Sequence, residues 1–162
     1  MFCNDPIVLL NYKQFLKEKS STNLRVQRDI CDFCESDEIA LEIPNPSNIF
    51  NLRLILKPEW PSFWADIPIE FKLEIRHGYP FKPPYLTCLN APFHPNIADD
   101  GKVCLSLVRE DWKPVYTLNE VAQSLLSLFY SFGIEDPLNQ ESAKCFHENE
   151  QLFREKIKTL KK

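Results

Sequence analysis

No stretch of this 162-residue chain comes near the roughly 18 consecutive apolar residues that a membrane span needs. The short run Ile7-Val8-Leu9-Leu10 follows Asp5 and Pro6 with no charged segment before it, so no secretory signal is expected. A large excess of one charge is missing too. The 19 Lys and Arg stand against 23 Asp and Glu, a net charge of -4, which argues against a general nucleic-acid binder. Internal repeats and low-complexity segments are absent. The expectation is an intracellular protein, cytoplasmic and/or nuclear, with neither a membrane nor a nucleic acid as partner.

What is present describes a folded domain. The chain is 44% apolar, 12% aromatic and 26% charged. A domain of this length buries roughly 70% of its unfolded surface. The six cysteines, Cys3, Cys31, Cys34, Cys88, Cys104 and Cys145, are expected as thiols, since nothing points to an oxidising compartment. Cys31-x-x-Cys34 has the spacing of half a zinc site. No second Cys-x-x-Cys or His-x-x-x-His follows, so neither a metal nor another cofactor is expected.

Periodicity divides the chain. Residues 1–20 read as an N-terminal extension and 21–162 as one core domain. Thr22 is placed to cap a helix running to about Phe33, with Leu24, Gln27, Ile30 and Cys31 on one face. Strands are expected over 38–43, 49–56, 67–76 and 85–89. The clearest alternates Ile69, Phe71, Leu73 and Ile75 with Glu70, Lys72, Glu74 and Arg76. Short connections make these a four-stranded antiparallel meander. Residues 90–116 lack a period and are rich in Pro, His, Asn, Cys and Trp; so long an irregular segment is usually functional. Thr117 and Glu120 then form a capping-box pattern before a helix expected to reach Phe132. Two terminal helices follow, over 139–147 and 149–160. The fold class is α+β, with helices packed on one sheet.

The irregular segment holds the chemistry. His94-Pro95-Asn96-Ile97 is followed by the turn signal Asp100-Gly101 and then Lys102-Val103-Cys104-Leu105. The turn should fold Asn96 back toward Cys104. A cysteine thiol attacks a carbonyl and stores the product as a thioester. A side-chain amide aimed at the resulting oxyanion stabilises it by roughly 3 kcal/mol. A cysteine protease with His94 as base would use similar parts. Pro95, however, suits a histidine that supports the loop, and no third, orienting group stands out.

The string His-Pro-Asn-Ile followed by Gly-Lys-Val-Cys-Leu resembles the active-site signature of ubiquitin-conjugating enzymes. Tyr79-Pro80-Phe81-Lys82-Pro83-Pro84, Trp112-Lys113-Pro114 and Asp136-Pro137-Leu138 look like three further loops of that family, and the resemblance spans residues 22–160. Leu24 to Ile30, Leu107 to Val115 and Glu135 to Asn139 are most similar to the branch that conjugates the ubiquitin-like modifier Nedd/Rub. One departure is visible. Ser131-Phe132-Gly133-Ile134 stands where the family commonly has Glu-Pro-Asn-Pro.

The resemblance implies an acyltransferase that takes a modifier from its activating enzyme as a thioester on Cys104 and passes it to a substrate lysine. It implies Asn96 at the oxyanion or in loop support, Asp136 in orienting the lysine, and His94 as structural support. It also implies a surface of Phe81, Pro114 and Val115 for a RING-type ligase, and cullin proteins as substrate. Phe2, Ile7, Leu9 and Leu10 of the extension, with Arg25 and Arg28, would meet the activating enzyme; a solvated helix face is the other reading of the two arginines. The neighbouring alternatives are transfer of ubiquitin itself and a non-catalytic scaffold of the same fold. Such scaffolds lack the cysteine that this chain has.

Overall fold

A computed structural model of the protein describes residues 21–159. The extension, with Phe2, Ile7, Leu9 and Leu10, lies outside the described residues. Helix α1 (Ser21–Cys31) leads into strands β1 (Ile39–Glu42), β2 (Asn51–Leu56), β3 (Ile69–Glu74) and β4 (Tyr85–Cys88). A single 3-10 turn (Ser106–Val108) breaks the long irregular segment. Helices α2 (Leu118–Leu128), α3 (Gln140–Glu148) and α4 (Glu150–Lys158) follow. The strands pair in sequence order, all antiparallel, as the expected meander.

Alternation along the strands decides which face is inside. Leu52, Leu54 and Leu56 of β2 stand opposite Leu73, Phe71 and Ile69 of β3, and all six are buried. Leu41 and Ile39 of β1 extend the same face. Each such side chain contributes roughly 1.5–3 kcal/mol by leaving water. A one-residue slip would turn the whole set outward, so the register is strongly specified. The apolar side of α2, made of Leu118, Val121, Ala122, Leu125 and Leu126, covers this face. Phe153 and Ile157 of α4 join the core beside it.

Helix α1 departs from its expected face. The inward stripe is Asn23, Val26 and Gln27 with Asp29 beside it, while Leu24 and Cys31 are exposed. Of its polar members, Asp29 is the one with a full set of partners, while Gln27 Nε2 is buried without a hydrogen-bond partner. Asp29 accepts hydrogen bonds from Arg25 and from the Tyr79 hydroxyl. Burial, and then the Asp29 carboxylate, push the Tyr79 phenol above its ordinary range. Thr22 is not a cap. It lies inside the helix and donates to the Tyr79 carbonyl at 3.0 Å.

The capping box at Thr117 and Glu120 is present, but α2 stops at Leu128, short of Phe132. The last turn tightens as Phe129 and Tyr130 donate to Leu126 and Ser127, three residues back. The carbonyl of Leu128 is taken by a histidine from the loop. Beyond the helix, Phe129 and Phe132 remain in an edge-to-face aromatic cluster with Phe63, Trp64, Phe146 and Phe153. That cluster is the floor of the site.

Candidate active site

His94 lies fully buried on this floor, its ring centroid 4.5 Å from that of Trp64. Its Nδ1 accepts the Asn96 backbone N–H at 2.9 Å, so Nε2 carries the hydrogen and donates it to Leu128 at 3.0 Å. Burial pulls its pKa down to about 4. Both nitrogens are occupied and the ring is neutral. It braces the loop and cannot serve as a base, which removes the protease arrangement.

From this anchor the chain forms a small hairpin. Ile97 bridges both His94 and Val103. Ala98 and Lys102 pair across it, and Gly101 closes it by donating to the Ala98 carbonyl. Gly101 has φ +84° and sits so close to β4 that a Cβ there would lie 2.3 Å from the Cys88 oxygen. Cys88 in turn donates its N–H to the Gly101 carbonyl at 2.8 Å. The returning arm brings the Cys104 N–H onto the Asn96 carbonyl at 2.8 Å. The turn thus sets Asn96 and Cys104 side by side along the backbone.

Their side chains are arranged differently from the simplest expectation. The amide of Asn96 donates to the Gly133 carbonyl at 3.2 Å, and its Oδ1 is buried without a hydrogen-bond partner. Asn139 holds the other end of the same segment. Its N–H donates to the Pro95 carbonyl at 3.0 Å, and its side-chain amide to Asp99 at 3.0 Å. Its Oδ1 also caps α3 through Ser142. Residues 134–138 therefore form a strap tied at both ends to the hairpin that presents Cys104. Asp136 stands exposed on that strap, with no hydrogen bond or ion pair among the described residues. The cap of α3 is Asn139 and not Asp136, so the carboxylate is free.

Cys104 is a half-buried free thiol. Cys88 and Cys145 are buried, and burial pushes the Cys88 thiol up to about 12. Cys31 and Cys34 are exposed near the end of α1, and neither is in a disulfide. Among the described residues no three His, Cys, Asp or Glu side chains converge to hold a metal ion. None of the described helices is long and apolar enough to cross a membrane. Arg109, which did not stand out in the sequence, lies with Nη1 3.6 Å from the Cys104 sulfur. The 3-10 turn puts it there: Arg109 N–H donates to Ser106 at 2.9 Å, folding the chain back toward the thiol.

A braced histidine, a hairpin that presents a thiol, and a strap tied to that hairpin now stand beside the comparison with known proteins. Residues 25–161 fit the model of ubiquitin-conjugating enzymes. The chain belongs to that family. It is an enzyme of ubiquitin-like protein conjugation. The Nedd8-conjugating enzyme UbcE2M of Drosophila melanogaster is 36% identical over 142 residues, covering 88% of this chain and 78% of the relative. The NEDD8-conjugating enzyme ubc12 of Schizosaccharomyces pombe is 34% identical over 158 residues, 94% of this chain and 89% of the relative. Among solved structures, S. cerevisiae Ubc12 superimposes with a TM-score of 0.79 at 30% identity, covering 93% of this chain and 89% of that one.

In this conjugating enzyme the departure at 131–134 has a physical reading. Phe132 fills space beneath the site, packing edge-on against His94 at 5.3 Å between centroids. Gly133 has an ordinary φ, and a Cβ there would meet nothing within 4 Å. The Gly133 backbone carbonyl serves as the strap's anchor, and no side chain is needed at that position.

The partner-facing residues fall on two loops that are tied together. Phe81 is 79% and Val115 73% exposed, with Pro114 exposed beside Val115. Trp112 Nε1 donates to the Pro80 carbonyl at 2.7 Å, and the Trp112 and Tyr79 rings lie 5.9 Å apart. The Tyr79-Pro80 bond is cis. Arg25 corrects an expectation. It is neither a free cation nor part of a solvated face, for its side chain is only 20% exposed. It binds Asp29 at 2.8 Å and the carbonyls of Pro114 and Tyr116, and it lies over the Tyr79 ring. It braces α1 against the Trp112–Tyr116 loop. Arg28 is 79% exposed, with only a 3.5 Å contact to Asp32.

Proposed function

We propose that this enzyme accepts a NEDD8-type modifier from its activating enzyme as a thioester on Cys104. It then transfers the modifier to a substrate lysine, on a cullin, with a RING-type ligase docked on Phe81, Pro114 and Val115. The observation that carries this reading is the half-buried Cys104 thiol on a hairpin braced by neutral His94, beside a strap bearing the unpartnered carboxylate of Asp136. The names of the relatives support the choice of modifier.

The chemistry follows from the groups present. In charging, the Cys104 thiolate adds to the modifier's C-terminal carbonyl and expels the thiolate of the activating enzyme. One thioester replaces another, so the step needs no further energy source. In discharge, a lysine amine adds to the same carbon, and the carbon–sulfur pair returns to Sγ as the isopeptide bond forms. The amine must be neutral, while a free lysine has a pKa near 10.4. Desolvation under the strap lowers it. The Asp136 carboxylate alone would raise it, so its role is to orient the amine and take its proton as the bond forms. Asn96 holds the strap in place for that step.

The test is to incubate the enzyme separately with the ubiquitin and NEDD8 activating systems and to resolve the products with and without reductant. The expected outcome is a reductant-sensitive adduct with NEDD8 alone, lost in Cys104→Ser. Charging by ubiquitin alone would replace the modifier. A reductant-sensitive adduct that persists in Cys104→Ser would remove the assignment of that cysteine.

A further inference from the structure

We propose that Arg109 is a catalytic group of the transfer reaction, its guanidinium meeting the negative charge that forms on and beside the sulfur of Cys104. The inference rests on the reading of Cys104 as the acyl carrier. Three observations carry it. First, Nη1 of Arg109 lies 3.6 Å from Sγ, and no other side chain among the described residues bonds that sulfur. Second, the Asn96 amide and the His94 Nε2–H are directed elsewhere, at the carbonyls of Gly133 and Leu128. Third, Arg109 forms no ion pair among the described residues, although Glu110 and Asp111 follow it directly in the chain. An exposed guanidinium with two neighbouring carboxylates on offer is directed at a thiol instead.

Negative charge visits only two atoms in the reaction. One is Sγ, as the attacking thiolate in charging and the leaving thiolate in discharge. The other is the carbonyl oxygen, two bonds from Sγ in the tetrahedral adduct. In discharge the lysine nitrogen bonds to the carbonyl carbon and the oxygen takes the π pair. The oxygen pair then re-forms the carbonyl, the carbon–sulfur bond breaks toward Sγ, and the nitrogen loses its proton to Asp136 or water. A cation at the observed distance from Sγ reaches both atoms. Guanidinium suits the place because it offers several N–H donors in one plane and stays protonated throughout.

The same geometry explains why the cation is arginine. A primary amine held this close to the thioester carbon would itself be an acceptor, and the enzyme would conjugate itself. A group that is never neutral cannot attack. Arg109 supplies charge without a competing nucleophile.

Two variants test this, both at an exposed position where folding is preserved and checked by thermal melting. Arg109→Ala should still charge on Cys104 but discharge to free lysine with kcat lowered about tenfold and KM for lysine unchanged. That loss is smaller than the roughly hundredfold or more of a buried oxyanion donor, because solvent screens an exposed cation. Arg109→Lys should charge and then, with the activating enzyme quenched and no acceptor added, convert to a reductant-resistant self-conjugate. Peptide mapping should place it on the new lysine at position 109. Wild-type kcat in Arg109→Ala, or a change in KM alone, overturns the catalytic role. Absence of the adduct at position 109 overturns the placement over the thioester. Failure of the unaltered enzyme to charge on Cys104 is seen first, and it would sink the carrier reading as well.

Discussion

The side-chain amide of Asn96 hydrogen-bonds the Gly133 carbonyl at 3.2 Å, tying the 134–138 strap to the hairpin that carries the thiol. Removing that bond should loosen the strap and leave the hairpin intact, since the hairpin is held by backbone pairs and His94. In Asn96→Ala, amide hydrogen exchange across residues 134–138 should rise, while exchange in β2 and β3 stays the same. Discharge to lysine should slow by about tenfold or more, because misplaced orienting groups lose much of their effect. Charging should suffer less. Unchanged exchange in the strap would deny Asn96 its bracing role.

His94 makes stability depend on pH. Its pKa falls from 6.5 in the unfolded chain to about 4 in the folded one. Above pH 6.5 both states are neutral there and the buried ring carries no penalty. As pH drops toward 4 the unfolded state takes up a proton that the folded state refuses, so stability is lost over that window. The limiting loss is about 3 kcal/mol from this group. Urea unfolding at pH 7, 6 and 5 should show it. His94→Gln should lose part of that dependence relative to the unaltered enzyme, since glutamine cannot titrate.

Two glycines should answer the same substitution in opposite ways. Gly101→Ala forces a Cβ onto the Cys88 carbonyl at 2.3 Å with φ at +84°, and should destabilise by about 2 kcal/mol or more. Gly133→Ala meets open space at an ordinary φ. It should be neutral or stabilise by about 0.4–1 kcal/mol, because alanine restricts the unfolded chain. Denaturant midpoints decide both.

Much of this was legible in the chain. The period-2 pattern at Ile69, Phe71, Leu73 and Ile75 located the central strand because one face is buried and the other wet. The Asp100-Gly101 turn located the hairpin because only glycine tolerates that approach to β4. Three features were not legible. The inward face of α1 is largely polar, so an apolar stripe read from the helical period points to Leu24, which is exposed. The end of α2 is set by His94 taking the Leu128 carbonyl, a contact 34 residues away in the chain. Arg109 looked like one charge among several, and only the 3-10 turn brings it to the sulfur. Asn139 could have been suspected from its position three residues before Ser142, which marks a helix cap, but its grip on Pro95 depends on the fold.

Arg25 and Arg28 should separate cleanly. Arg25→Ala leaves the buried Asp29 carboxylate with the Tyr79 hydroxyl as its remaining side-chain partner among the described residues and frees the Trp112–Tyr116 loop. Breaking a buried pair from one side should cost about 3 kcal/mol. The loss should also weaken ligase-stimulated discharge, since Pro114 and Val115 ride on that loop. Arg28→Ala removes a long, exposed contact and should change stability by about 0.5 kcal/mol or less. Thermal melts of the two variants, with ligase-dependent and ligase-independent discharge measured in parallel, check both halves.

Asp136 can be tested apart from everything that holds the strap, because its carboxylate has no partner among the described residues and its removal should not disturb the fold. Its proposed work is to orient an amine and receive a proton. A lysine, protonated in water at neutral pH, needs that help. Hydroxylamine, already neutral there, needs it much less. Asp136→Asn keeps the shape and removes the charge, so its thioester should form at the normal rate and discharge to lysine about tenfold more slowly or worse. Discharge to hydroxylamine should be nearly unaffected. Equal slowing with both nucleophiles would mean that Asp136 shapes the groove instead of handling the proton, and the role would pass to water.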